Sequence, residues 1–310
     1  MTDILTLTMN PSVDVSTSTE RVEPTHKVRC GVPQFHPGGG GVNVARVLHR
    51  LGGDCAALYP AGGANGVLLK RLLDDEGVSS ICVPIAGETR ESFSVRELSK
   101  KQEFRFVLPG PELAPLEWQN CLDRIAGIES PPRYLVLSGG LPPGVPVDFY
   151  ARLIRLVRPF GVKVVLDSSG LPLATALEEG VYLVKPSLRE LRDLCGQALE
   201  TEVQWRAAAE QLVSRGSAQI VVPSMGAAGA LLASSEGCFF APALPMDVVS
   251  AIGAGDSFVG AMVWALSRGL ASSEAFRYGV AAGSAALLSE GTGLGKSEDI
   301  VRLHNAVTLI

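Results

Sequence analysis

The sequence predicts an α/β domain with a central, mostly parallel sheet, roofed at one edge by a small β lid. Three observations point there. Short apolar runs bounded by turn residues recur along the chain, helical spacing fills the gaps between them, and two stretches break this alternation. The runs Cys55 to Leu58, Tyr134 to Leu137, Val162 to Leu166, Val181 to Val184 and Ile220 to Val222 are continuously apolar. Strands covered on both faces read this way, and parallel strands joined by crossover helices are covered on both faces. Ile4 to Met9 opens the chain as a further strand, Val147 to Val157 and Ala207 to Val213 carry apolar residues at helical spacing, and Leu51-Gly52-Gly53 marks a helix end.

The two exceptions are residues 11 to 36 and 89 to 107. They are rich in β-branched and charged residues that alternate, as in Phe93-Ser94-Val95-Arg96 and Phe104-Arg105-Phe106-Val107. Alternation suits exposed antiparallel strands, so both stretches are assigned to the lid. No Pro/Gly linker, internal repeat or low-complexity segment divides the chain, and residues 1 to 310 are read as one domain.

Composition narrows the functions open to it. With 310 residues and 46% hydrophobic content the chain can bury a full core. Its 27 Lys and Arg against 32 Asp and Glu leave a net charge of −5, which argues against a surface that neutralises nucleic-acid phosphates. Six scattered cysteines without a Cys-x-x-Cys pair, and four histidines that do not cluster, suggest neither a zinc site nor a disulfide framework. The N-terminus lacks the basic head and cleavage site of a signal peptide, and the most apolar helical stretch, Phe258 to Leu266, is too short to span a bilayer. A cytoplasmic location and no membrane partner are therefore expected.

The strongest chemical signal is Gly253-Ala254-Gly255-Asp256-Ser257-Phe258, leading into an apolar helix. Small residues let consecutive N–H groups turn inward at a helix N-terminus and form an anion hole for a transferring phosphoryl group. Asp256 is then placed to accept the proton of an attacking hydroxyl. An aspartate in a first turn is also what a helix dipole favours, so this motif alone leaves a structural role open. A second run, Pro37-Gly38-Gly39-Gly40-Gly41-Val42-Asn43, precedes another helix and lets backbone approach a polar ligand while Asn43 offers its amide. Such a run can also be a flexible turn.

Together these motifs resemble the two signatures of the ribokinase, or PfkB, family of carbohydrate kinases. The similarity extends through Thr8 to Asp14, Leu137 to Gly144, Leu166 to Gly170, Lys185-Pro186 and Gly279 to Thr292. It implies a ribokinase-like three-layer α/β/α domain. It further implies that Asp14, Gly39, Gly40, Asn43 and Ser138 hold a sugar, and that Gly253, Ala254, Gly255 and Asp256 supply the anion hole and base. By the same resemblance ATP lies near Lys185, Ser187, Ser224, Gly226, Gly229, Ala282 and Ser284. Mg²⁺ is met indirectly by Glu190, and a monovalent cation such as K⁺ by oxygens of Ser250, Ile252, Ala286, Ser289 and Gly291. Three positions depart from the family pattern: Ser187 stands where an asparagine is usual, Ala251 where a threonine is common, and Gly140 in place of a serine.

A sugar that already carries a phosphate needs cations, and the lid offers Lys27, Arg29, Arg90 and Arg105. The patterns around His26 to Cys30 and Phe104 to Gly110 look like the branch that phosphorylates fructose 6-phosphate. Kinases of fructose 1-phosphate and tagatose 6-phosphate commonly place a lysine at Gly40, although Met9-Asn10-Pro11-Ser12 resembles them. A non-catalytic nucleotide sensor, suggested by Ser187 and Ala251, is the reading from another class, and the intact Asp256 argues against it. Two further patterns fail on spacing: Gly291 to Ser297 is one residue short of a P-loop, and no Gly-x-Gly-x-x-Gly follows the first strand. Exposed lid strands leave an open edge and an apolar face, so a homodimer through the lid is expected.

Overall fold

The computed structural model describes residues 2–310. The first half of the chain runs β1 (Ile4–Leu7), β2 (Ser12–Thr19), β3 (Gln34–Gly38), α1 (Gly40–Arg50), β4 (Cys55–Ala61), α2 (Gly63–Asp75), β5 (Ser80–Pro84), β6 (Arg90–Glu97), β7 (Gln102–Val107), α3 (Pro115–Ala126), β8 (Tyr134–Ser138) and α4 (Phe149–Val157). It continues through β9 (Lys163–Asp167), α5 (Gly170–Leu177), β10 (Val181–Val184), α6 (Leu188–Cys195), α7 (Glu202–Ser214), β11 (Ala218–Val221), β12 (Ala230–Ser234) and β13 (Gly237–Ala241). Three helices, α8 (Ala254–Ser267), α9 (Ser272–Ala286) and α10 (Ser297–His304), close it.

Nine strands form one sheet in the order β13-β12-β11-β10-β9-β8-β1-β4-β5. The pairs from β5 across to β11 are parallel, and β12 and β13 join antiparallel at the far edge. The apolar runs explain this placement, because alternate residues of each strand feed opposite layers. Ile4, Ala57, Tyr134, Val136 and Val165 face a core shared with α1, α2, α8, α9 and α10. Leu5, Leu7, Leu135, Leu137 and Leu166 face a second core under α3, α4, α5, α6 and α7. Both faces are covered, as the continuous apolar strands anticipate.

The lid is a separate four-stranded sheet, β3-β2-β6-β7. It departs from the sequence expectation in two ways. Its central pair, β2 and β6, is parallel, and only the outer pairs are antiparallel. Residues 20–33 also form no strand; they are a largely exposed connection that the alternating pattern does not distinguish from its flanks. Register gives the lid two unlike faces. Asp14, Ser16, Arg90, Ser92, Ser94, Glu103 and Arg105 occupy positions on one face, and the paired row Phe35, Val15, Phe93 and Phe106 lies on the other.

Candidate active site

The glycine run, Ser138, Asp167 and Lys185 all lie at or just beyond the carboxyl ends of the parallel strands, where open α/β sheets bind their ligands. Helices α1 and α8 meet beneath this edge. A Cβ on Gly260 would sit 2.9 Å from Val47 Cβ and 3.1 Å from the Val44 carbonyl, so only glycine allows the two helices so close. Their contact joins the two sequence motifs: Asn43 Nδ2 donates to Asp256 Oδ2 at 2.8 Å.

Gly253 starts α8 in the left-handed region, φ 75°. The N–H groups of Gly253, Gly255 and Asp256 donate to no acceptor among the described residues, while that of Ala254 reaches Ala251 O at 3.4 Å. Free N–H groups at the positive end of a helix are what an incoming anion requires. Lys185 adds a full charge: it is buried, a Cβ on Gly255 would lie 3.3 Å from its Nζ, and its ammonium pairs with Asp167 Oδ1 at 3.1 Å. Burial opposes that charge, but Asp167, Glu190 and Asp256 outweigh it and hold the Lys185 pKa above its ordinary value.

Asp256 is still open to solvent on one side, but burial pushes its carboxyl up to about 6. Asp167 adds to the rise, and Asn43, Lys185 and Arg105 oppose it. A carboxylate poised there is a competent base near neutral pH. One of its oxygens is also fixed by a buried amide from a different motif, which a position at the start of a helix does not by itself require.

The sugar-binding candidates gather around this point. Asp14 is buried on the polar face of the lid and accepts from the Ser12 hydroxyl at 2.6 Å. Gly39, with φ 107°, and Gly40 pass against Thr8 and Ser138; a Cβ on Gly40 would fall 2.3 Å from Ser138 Oγ. A lysine at this position would therefore meet the end of β8. Asn43 is engaged at both ends of its amide, so for a sugar it retains one Nδ2 hydrogen and one Oδ1 lone pair. Arg90 donates to Asn10 O and Leu108 O and leaves a buried Nε without a partner. Arg105 is exposed on the same lid face. Lys27 lies on the exposed 20–33 connection and forms no ion pair among the described residues, so nothing within this chain brings it to Asp256.

On the nucleotide side Ala282 is fully buried in the core under α9. Ala286, expected to offer an oxygen to the cation, is also fully buried, and its carbonyl accepts from Ser289 N at 3.1 Å. Ser187 caps α6: its hydroxyl accepts from Glu190 N at 3.3 Å, and its own N–H donates to Glu190 Oε2 at 2.7 Å. The residue that departs from the family pattern is therefore half of a capping box, which leaves Glu190 Oε1 as the available acid. Ser224 ties the neighbouring turn to β10, accepting from Leu188 N and donating to Pro186 O, and Gly226 and Gly229 shape that turn with φ 56° and 116°. Ser284 is buried on α9.

Ser250 joins the lid to the start of α8. Its hydroxyl donates to the Glu103 carboxylate at 2.8 Å and accepts from Ile252 N. The carbonyls of Ser250, Ile252 and Gly291 accept no hydrogen bond among the described residues, and Ser289 donates to Leu294 O. No cluster of three His, Cys, Asp or Glu able to hold a metal occurs among them. Sequence reasoning missed Arg46, Glu76, Asp167, Thr8 and Glu103. Thr8 and Asp167 lie within segments that carry the family resemblance, and Arg46 follows Asn43 by one helical turn.

A model of the family described as pfkB family carbohydrate kinase matches residues 7–299. The chain belongs to that family. An ATP-dependent 6-phosphofructokinase isozyme 2 from Mycobacterium tuberculosis is 47% identical over 299 residues, 96% of this chain and 88% of that one. Crystal structures of phosphofructokinase-2 from Escherichia coli share the fold across 99% of both chains. The complex with potassium has 41% identity and a TM-score of 0.94. The complex with fructose-6-phosphate has 40% and 0.93, and a tetrameric inhibited form 40% and 0.92.

Proposed function

We propose that this chain is an ATP-dependent 6-phosphofructokinase, transferring the γ-phosphoryl group of ATP to the free primary hydroxyl of fructose 6-phosphate to give fructose 1,6-bisphosphate and ADP. The observation that carries the chemistry is the pairing of Asp256 with the unbonded N–H groups of Gly253, Gly255 and Asp256 itself. Asp256 accepts the proton of the attacking hydroxyl, the helix N-terminus and Lys185 hold the phosphoryl oxygens, and Asn43 fixes the base. The likeness to relatives named for this activity supports the sugar assignment. So does the polar lid face, where Arg90 and Arg105 are the cations for the existing phosphate.

The donor set fits Mg²⁺ only indirectly. Glu190 Oε1 and Asp167 are the available carboxylates, and Mg²⁺ bound largely through phosphates and water would neutralise charge on the transferring group. The unbonded carbonyls of Ser250, Ile252 and Gly291 are the oxygens that would hold a monovalent cation.

An ADP-release assay tests the substrate. Fructose 6-phosphate should give the highest kcat/KM in a panel with fructose 1-phosphate, tagatose 6-phosphate and fructose. A preference for fructose 1-phosphate would reassign the sugar and leave the phosphoryl chemistry standing.

The lid supports a homodimer. Phe35 and Phe106 are 45% and 55% exposed in the apolar row. An exposed apolar face on a small sheet is stabilised by a second copy of itself. Sedimentation at micromolar concentration should give a dimer that Phe106→Asp dissociates. A monomeric parent would refute this.

A further inference from the structure

Among the described residues Arg46 is the only arginine that is 0% exposed, and it sits in α1 three residues after Asn43. A buried guanidinium needs acceptors for all of its donors. Nε and Nη2 grip both oxygens of Glu76 at 2.6 to 3.0 Å, while Nη1 reaches Pro37 O at 3.0 Å, Thr292 O at 3.0 Å and Asn43 Oδ1 at 3.2 Å. The cluster thus ties together the glycine run, the segment after Gly291 and the amide that touches the base. Charge keeps it in place. Burial raises the Glu76 pKa, but Arg46, Arg50 and His36 outweigh burial and hold it below the usual carboxylate range.

The structure assigns Arg46 as a positioning residue that selects the orientation of the Asn43 amide and thereby holds Asp256 in its catalytic rotamer. The inference rests on the reading of Asp256 as the base. A guanidinium can only donate, so the Asn43 atom facing it must be the oxygen. The nitrogen then faces Asp256 and donates to Oδ2. Oδ1 is left free for the substrate hydroxyl. Without Arg46 only the carboxylate itself selects the amide orientation, so the flipped amide, whose oxygen would accept from a protonated Asp256, competes with the native one, loosens the hold and favours the protonated form. Asp167, Lys185 and Arg105 face Asp256 from β9, the end of β10 and the lid, and none of them contacts Arg46 by a hydrogen bond or ion pair.

A double-mutant cycle tests this, since residues that act through one another are non-additive. Arg46→Lys keeps a positive charge opposite Glu76 but loses the fork that reaches Asn43. In the parent it should lower kcat about tenfold, change the fructose 6-phosphate KM less than threefold and move the acid limb of kcat to higher pH. In an Asn43→Ala background the same change should cost less than twofold. Equal losses in both backgrounds, with an unmoved acid limb, would mark Arg46 as structural only and overturn the inference. Should Arg46→Lys fail to fold, Glu76→Gln is expected to show the same non-additivity at smaller size, and additive losses there would overturn it equally. Asp256→Asn is run alongside: turnover within threefold of the parent overturns the base assignment and this inference together, whereas an inactive variant with additive cycles overturns only the role of Arg46.

Discussion

Asp256→Asn is expected to lower kcat by about 10² to 10⁴-fold while leaving ATP and fructose 6-phosphate binding nearly intact. Asparagine keeps the size of the side chain and can still accept from Asn43 Nδ2, but it takes no proton from a hydroxyl. In the parent, kcat should fall as pH drops through about 6, because burial raises the carboxyl to that value and only its ionised form is a base. The same shift sets the sign of a stability effect. A carboxyl whose folded pKa lies above its unfolded value stabilises the fold fully below the unfolded pKa, near 4, and that contribution is lost as pH rises through about 6. Near pH 8 the variant should therefore be more stable than the parent by on the order of 1 to 2 kcal/mol, after allowance for the open side of the group, and melt at a higher temperature. A helix-stabilising acid would behave in the opposite way, losing up to about 1 kcal/mol on substitution with kcat unchanged. Calorimetry, a thermal melt and a pH–rate profile on one variant separate the two.

The parts of this molecule legible in its sequence are those whose signal is local. Ile220 to Val222 and its companions declare buried strands because both faces of a parallel strand are covered, and the small residues Gly253 to Gly255 declare a helix start with unbonded N–H groups because those groups lie within four successive residues. What stayed hidden depends on partners distant in the chain. The parallel pairing of β2 with β6 requires a crossover of some 70 residues, and alternation alone fits either direction. Arg46 meets Glu76 across 30 residues, and Asn43 meets Asp256 across 213. Ser187 shows the converse. Its local pattern with Glu190 is a capping box that the sequence contains in plain view, while the family resemblance directs attention to the metal.

Gly253→Ala is expected to reduce kcat by about 10² to 10³-fold, the range seen when one oxyanion-type donor is lost. Gly253 holds φ 75°, and its carbonyl accepts the first helical bond from Ser257 N at 2.8 Å. A Cβ there is strained by the left-handed backbone, at about 1 to 2 kcal/mol. It would also lie 2.4 Å from Cδ2 of the fully buried Leu294, so that side chain or the start of α8 must shift. With the left-handed strain at Gly253 itself, the displacement falls on the N–H groups of Gly255 and Asp256 proposed to face the transferring group. Loss of stability alone could mimic such an effect, and the far end of the same helix supplies the control. Gly269, at φ 79°, shares the left-handed conformation, but nothing lies within 4 Å of the Cβ it would gain. Gly269→Ala should therefore incur the backbone strain and leave kcat within threefold of the parent. If both variants fold and lose activity equally, helix stability rather than the anion hole governs the rate. If Gly253→Ala folds and turns over within threefold of the parent, the N–H groups at the start of α8 do not bear the developing charge.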